Sequence, residues 1–236
     1  MSDVAHEQTG PIGVVFETLD PGALARFWAG ALNGTTPEEN LGGEQTVIRT
    51  GDTVLRLRFT PATRPKTTKN RLHLDLAGGS DPAREVERVL ALGASRADIG
   101  QGEVPWTVLA DPEGNEFCVL PEEGSAGRLA AICLDAADPD VQGRFWAPAL
   151  GWRIVDQGDW GISLRSPSVR GPRMVMGPPA AAKAGRNRLL LEIAAHGDDP
   201  ATAADRLTRT GATRADAERT GLLADPEGNE FLLAAR

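Results

Sequence analysis

Short stretches of alternating apolar and polar residues recur along the chain, each followed by an aspartate–proline pair and a run with helical spacing. "IGVVFETL" (12–19) is short and rich in β-formers, and Asp20-Pro21 opens the helical "GALARFWAGAL" (22–32). Aspartate at the cap with proline in the first turn is a good helix start. Strand candidates follow, among them "EQTVIRT" (44–50) and "TVLRLRFT" (53–60). The pattern then restarts with "RLHLDLA" (71–77), Asp81-Pro82, a helical "AREVERVLALG" ending at Gly93, and strands around "WTVLA" and "NEFCVL". A glycine ends a helix well because it tolerates the left-handed cap. The spacing predicts β-α-β-β-β, twice over.

The whole plan is then written again. "DPEGNEF" stands at 111–117 and, letter for letter, at 225–231. "FETLDPGALARFWAGAL" lines up with "CLDAADPDVQGRFWAPAL", so that Asp20 matches Asp138 and Trp28 matches Trp146, 118 positions apart. "NRLHLDLA" (70–77) lines up with "NRLLLEIA" (187–194). That interval is domain-sized, since solenoid units repeat at roughly 20–50 residues. The reading is two homologous domains, 10–121 and 128–236, with a short tail at 1–9 and a Gly- and Glu-rich linker at 122–127. Four β-α-β-β-β modules result.

Composition narrows the function classes. Of 236 residues, 41% are hydrophobic and 25% charged, the balance of a soluble globular protein. A net charge of −8 argues against a nucleic-acid surface, which needs concentrated Lys and Arg. No apolar run of about eighteen residues is present, so no membrane span is expected. The opening "MSDVAHEQTG" lacks the basic and apolar regions of a signal peptide, and a cytoplasmic location is expected. Cys118 and Cys133 are too few for a disulfide framework or a cysteine metal site.

"KNRLHLDL", "LGA" and "DPEGNEFCVL" resemble the glyoxalase-like domains common in actinobacteria, within the vicinal oxygen chelate superfamily. That superfamily includes glyoxalase I, extradiol dioxygenases and bleomycin- and fosfomycin-resistance proteins. The resemblance covers nearly the whole chain and implies an α+β fold, with each domain's two βαβββ modules forming a curved mixed-sheet cup. It also implies metal ligands on the first, fifth and last strands of a cup. Carried over, those positions are a site near Gly13, then His73 and Cys118; the second domain offers Leu190 and Leu232. His6 and His196 lie outside these strands. A two-histidine-one-carboxylate iron site is therefore absent, and neither metal nor cofactor is expected.

Asp-Pro-Glu-Gly-Asn is turn chemistry in its own right, with proline fixing φ and glycine supplying a positive one. In the strand that follows, Glu116 and Cys118 share one face and Phe117 takes the other; Glu230 and Leu232 share a face in the second copy. Arg71, His73 and Asp75 alternate onto one face, with counterparts Arg188, Leu190 and Glu192. Glu17 has the counterpart Asp135. If those faces are concave, the first domain gathers Glu17, Arg71, His73, Asp75 and Glu116, and the second Asp135, Arg188, Glu192 and Glu230. As structure, Arg71 would pair with Glu116 and Arg188 with Glu230.

His73 breaks this symmetry. An imidazole beside carboxylates suits proton exchange near neutral pH, so His73 with Glu17 or Glu116 is the candidate acid–base set. Trp160, Met174 and Met176 are expected to face the second concavity, as core filler or as a wall for a flat ligand. Of Phe27–Trp28 and Phe145–Trp146, one ring of each pair is expected on the sheet and the other between the domains. The loops "TPATRPKTTKN" and "GPPAAAKAGRN" are candidates to lie over the cup mouths. The expected partner is a small organic molecule, with the chain a monomer by internal pseudo-dimer or a weak homodimer. Two function classes follow: a lyase, isomerase or cyclase working by proton transfer, or a protein that sequesters a drug as bleomycin-resistance proteins do.

Overall fold

The computed structural model describes residues 12–34, 44–50, 53–121, 127–167, 171–195, 198–216 and 221–234. The tail at 1–9, linker positions 122–126, His6 and His196 lie outside the described residues. The first module comprises β1 (Ile12–Thr18), α1 (Pro21–Leu32), β2 (Glu44–Thr50) and β3 (Thr53–Pro61). The second runs through β4 (Leu72–Ala77), α2 (Pro82–Ala91), β5 (Ser95–Arg96), β6 (Thr107–Ala110) and β7 (Glu116–Leu120). The third holds β8 (Leu129–Asp135), α3 (Pro139–Leu150), β9 (Arg153–Gly158), β10 (Gly161–Arg165) and β11 (Arg173–Gly177). The fourth holds β12 (Leu189–Ala194), α4 (Pro200–Arg209), β13 (Thr213–Arg214), β14 (Leu222–Ala224) and β15 (Glu230–Ala234).

All four helices begin as the sequence predicts. Asp20, Asp81, Asp138 and Asp199 accept hydrogen bonds from first-turn amides, and each is followed by proline. Inside each module the first and last strands run parallel, as β4 does with β7 and β8 with β11. The modules then join in a way that alternation does not reveal. One sheet has the order β13-β14-β15-β12-β1-β3-β2 and the other β5-β6-β7-β4-β8-β11-β10-β9. The joints are antiparallel pairs, β1 with β12 and β4 with β8, so each cup takes one module from each repeat.

Modules of the same repeat meet instead through the apolar core. Trp28 on α1 lies 5.5 Å from Phe16 on β1 and 5.3 Å from Phe117 on β7, which belong to different sheets. Trp146 repeats this against Phe231 at 5.0 Å. Phe27 and Phe145 are buried with their neighbours, so both rings of each pair enter the core, contrary to the split expected from helix geometry. A second correction concerns β11. Met174 and Met176 are fully buried on its core face, opposite Leu164 and Ile162, while Arg173 and Val175 face the concavity. Period-two alternation offers two phases, and the neighbouring strand β10 decides between them.

Candidate functional site

The repeated heptapeptide is a clamp in which nearly every letter is engaged. Asp111 accepts from the indole Nε1 of Trp28 (3.1 Å) and from the amides of Glu113 and Asn115 (both 2.9 Å). Glu113 accepts from the amides of Leu19 (3.0 Å) and Asp20 (2.8 Å), from the Thr18 hydroxyl, and from Arg188 of the other repeat (3.1 Å). Burial raises the Glu113 pKa, but these donors outweigh it and hold the carboxyl below its ordinary value. Asn115 accepts from the Asn70 side chain (3.0 Å), and Glu116 holds Lys66 (2.5 Å) and the Asn70 amide (3.2 Å). The second copy does the same with Asp225 on Trp146, Glu227 on the amides of Ala137 and Asp138, and Glu230 on Lys183 and the Asn187 amide.

This clamp redraws the expected ion pairs. Arg71 pairs with Glu227 at 2.6 Å, not with Glu116, and Arg188 with Glu113, not with Glu230. Both pairs cross between the repeats. Glu116 and Glu230 are thereby committed to structure. Glu17 lies on the seven-stranded sheet, 2.8 Å from Arg186, and shares no cavity with His73. The two loops expected as covers line a single cavity of about 300 Å³ between the repeats, with Lys66, Lys69, Arg71, Arg186 and Arg188 on its walls.

A larger cavity, about 480 Å³, lies on the concave face of the eight-stranded sheet. β4 places His73 and Asp75 there, β7 adds Cys118, and β8 brings Cys133 and Asp135. His73 stands between two carboxylates, its Nε2 3.6 Å from Asp75 Oδ1 and its Nδ1 4.0 Å from Asp135 Oδ1. Lys69 holds the other oxygen of Asp135, and the Cys133 thiol donates to Asp75 Oδ2 at 3.0 Å. Asp75 Oδ1 is buried without a hydrogen-bond partner. Burial first, and the Asp75 charge second, push both thiols well above the usual range. Trp106, Trp160 and Pro105, Pro178 and Pro179 form the sides, and Trp160 is 47% exposed.

Among the described residues the twin cup has no such group. Its joint sets Val15 opposite Leu190, with Leu222 and Leu232 packed against them. Beside them Arg58 and Glu192 pair at 2.5 Å. Sequence alternation therefore puts His73 and Asp75 on a concave face, as the structure does, and wrongly adds Glu17 and Glu116 to their cavity and Met174 and Met176 to the other concavity. It places Asp135 and Trp160 in the wrong cup and passes over Cys133, because all three arrive from the second repeat across the β4–β8 joint. The signal for them is the register itself, which sets His73 opposite Cys133.

A buried core under two module-built sheets, with a cavity of charged floor and largely apolar walls on one concave face, is the build of a tandem vicinal oxygen chelate protein. The glyoxalase-like domain model matches residues 13–120 and 131–234, and the chain belongs to that family. Glyoxalase I from Zea mays superposes with a TM-score of 0.64 at 14% identity, over 94% of this chain and 90% of its own. A mutant form of that enzyme gives 0.67 at 13% identity, over 96% and 94%. A putative dioxygenase from Bacillus subtilis subsp. subtilis str. 168 gives 0.56 at 15%, over 98% and 86%. No curated protein matches the chain. At these identities the solved structures share the fold, and the chemistry has to be argued from the cup. No helix among the described residues is long and apolar enough to cross a membrane.

Proposed function

We propose that the protein is an enzyme that moves a proton on a small organic molecule held in the eight-stranded cup, a lyase- or isomerase-type reaction. The supporting observation is the His73 imidazole set between Asp75 and Asp135 on a cavity floor, with nothing equivalent among the described residues of the twin. In this reading the His73–Asp135 pair takes and returns the proton. Lys69 fixes Asp135, so the pair is aimed before a ligand arrives. The Trp and Pro sides exclude water from an apolar ligand body and leave its polar end on the floor.

The superfamily resemblance also implies a divalent ion, and the floor fits one. His73, Asp75 and Cys118 bring one donor atom each within 4.8 Å of one another, and Asp75 Oδ1 lacks any other partner. Those three residues would hold the ion, which when bound would polarise a substrate oxygen as a Lewis acid. Asp135 stands outside that set and can carry the proton with or without it.

Proton exchange at carbon can be followed without naming a substrate in advance. Pools of small carbonyl and hydroxy-acid compounds are incubated with the protein in D2O and read by mass spectrometry for deuterium wash-in at carbon. Wash-in into a pool member is expected, with His73→Ala and Asp135→Asn each slowing it about 100-fold or more. Wash-in unchanged in both variants would sink the proposal. A compound that raises the melting temperature and is recovered without deuterium would instead support sequestration, the second reading, which rests on the exposed face of Trp160.

A further inference from the structure

We infer that the cavity between the repeats binds one compact oxyanion with two or more negative charges, a phosphate or a dicarboxylate. The site is separate from the eight-stranded cup and does not depend on the reaction there. It is the space of about 300 Å³ enclosed by the loops that lead into β4 and β12.

Lys66, Lys69, Arg71, Arg186 and Arg188 line it, against a single carboxylate among the described residues, Glu17. The two repeats supply matching groups, since Lys69 is equivalent to Arg186 and Arg71 to Arg188. Each cation has a carboxylate partner, in the same order Glu116, Asp135, Glu227, Glu17 and Glu113. Apart from Glu17, those acids do not line the cavity, so the face offered to a ligand is cationic. Five positive groups around one small space repel one another, and an anion among them removes that cost. The attraction is local, because the chain's net charge of −8 acts from farther away and is screened by salt.

The two inner guanidinium groups also hold donors in reserve. The Nε of Arg71 and that of Arg188 are buried without a hydrogen-bond partner, although the Nη atoms of both are engaged. A planar guanidinium with one edge unfilled suits the geometry of an oxyanion. Lys69 and Arg186 are the more exposed of the five, so an arriving anion meets them first. Lys69 carries the event further. Its amine holds Asp135, whose other oxygen lies 4.0 Å from His73 Nδ1, so an anion that draws Lys69 changes the charge beside the imidazole.

The test is calorimetric titration of the full-length protein with inorganic phosphate, pyrophosphate and a four-carbon dicarboxylate, with chloride as control. One saturable site per chain is expected, with a dissociation constant below about 1 mM that weakens as salt rises. The tighter probe names the source, a phosphorylated compound or an organic diacid. Arg186→Gln should weaken binding about 10-fold or more, and Arg186→Lys, which keeps the charge, less. Amide shifts mapped by NMR on the wild type should cluster at 65–72 and 181–189, with the His73 imidazole resonance following. No saturable site, unchanged affinity in Arg186→Gln, or shifts centred on the eight-stranded cup would each overturn the inference. If Arg186→Gln does not fold, the wild-type shift map decides. A His73 resonance that stays still while both loops respond would overturn the link through Lys69.

Discussion

Glu113 shows how much one side chain can be asked to hold. It ties the turn between β1 and α1 to the clamp, and ties the clamp to Arg188 of the other repeat. Its folded pKa lies below the ordinary 4.5, so protonation favours the unfolded chain. The stability it contributes is complete above that ordinary value and is lost as pH falls through the lower folded one. Denaturant titrations over a pH series should therefore give Glu113→Gln a shallower acid limb than wild type. Glu85 is also held low, by Arg88 and Arg128 against the effect of burial, so the slope should shrink without vanishing. An equal slope in both proteins would contradict the assignment. At the same scale, Met174→Ala should lose about 2–5 kcal/mol, as an emptied core site does, whereas Trp160→Ala should lose far less. Trp160 sits in the turn between β9 and β10, whereas Met174 points into the core from β11, and the phase of β11 depends on a neighbour the sequence does not name.

Among the elements, the turn of the clamp is the most legible. Proline, glycine and two hydrogen-bonding side chains specify a reversal from local chemistry alone. Gly114 and Gly228 take the positive φ that the turn needs, at 80° and 81°. A Cβ at Gly114 would meet nothing within 4 Å, so Gly114→Ala tests backbone conformation by itself. It should cost roughly 1–2 kcal/mol in thermal or chemical unfolding, the cost of left-handed backbone for an L-residue. The turn's partners are not legible, because Glu113 and Glu227 reach residues about ninety positions away. Helix starts are equally clear, since an aspartate cap and its proline act within one turn.

For the whole molecule, the duplication can be read directly, but the way its halves interlock cannot. Alternating residues say which face of a strand is apolar and nothing about which strand lies alongside. That is why alternation credits Glu17 to the same hollow as His73, and Asp135 to another. The β1–β12 and β4–β8 joints predict that residues 1–121 expressed alone expose two long central strand edges. Light scattering on that fragment should show a dimer or larger assembly, while the full chain runs as a monomer. A well-behaved monomeric fragment would contradict the crossed pairing.

The interlock also changes what a break in the chain would mean. Scission between residues 121 and 127 would sever the only covalent tie between the two halves. It would leave intact both rows of strand hydrogen bonds and the reciprocal Arg71–Glu227 and Arg188–Glu113 grips. The nicked molecule should travel as one body under native conditions and part only in denaturant. Its integrity depends on being woven rather than on being tied.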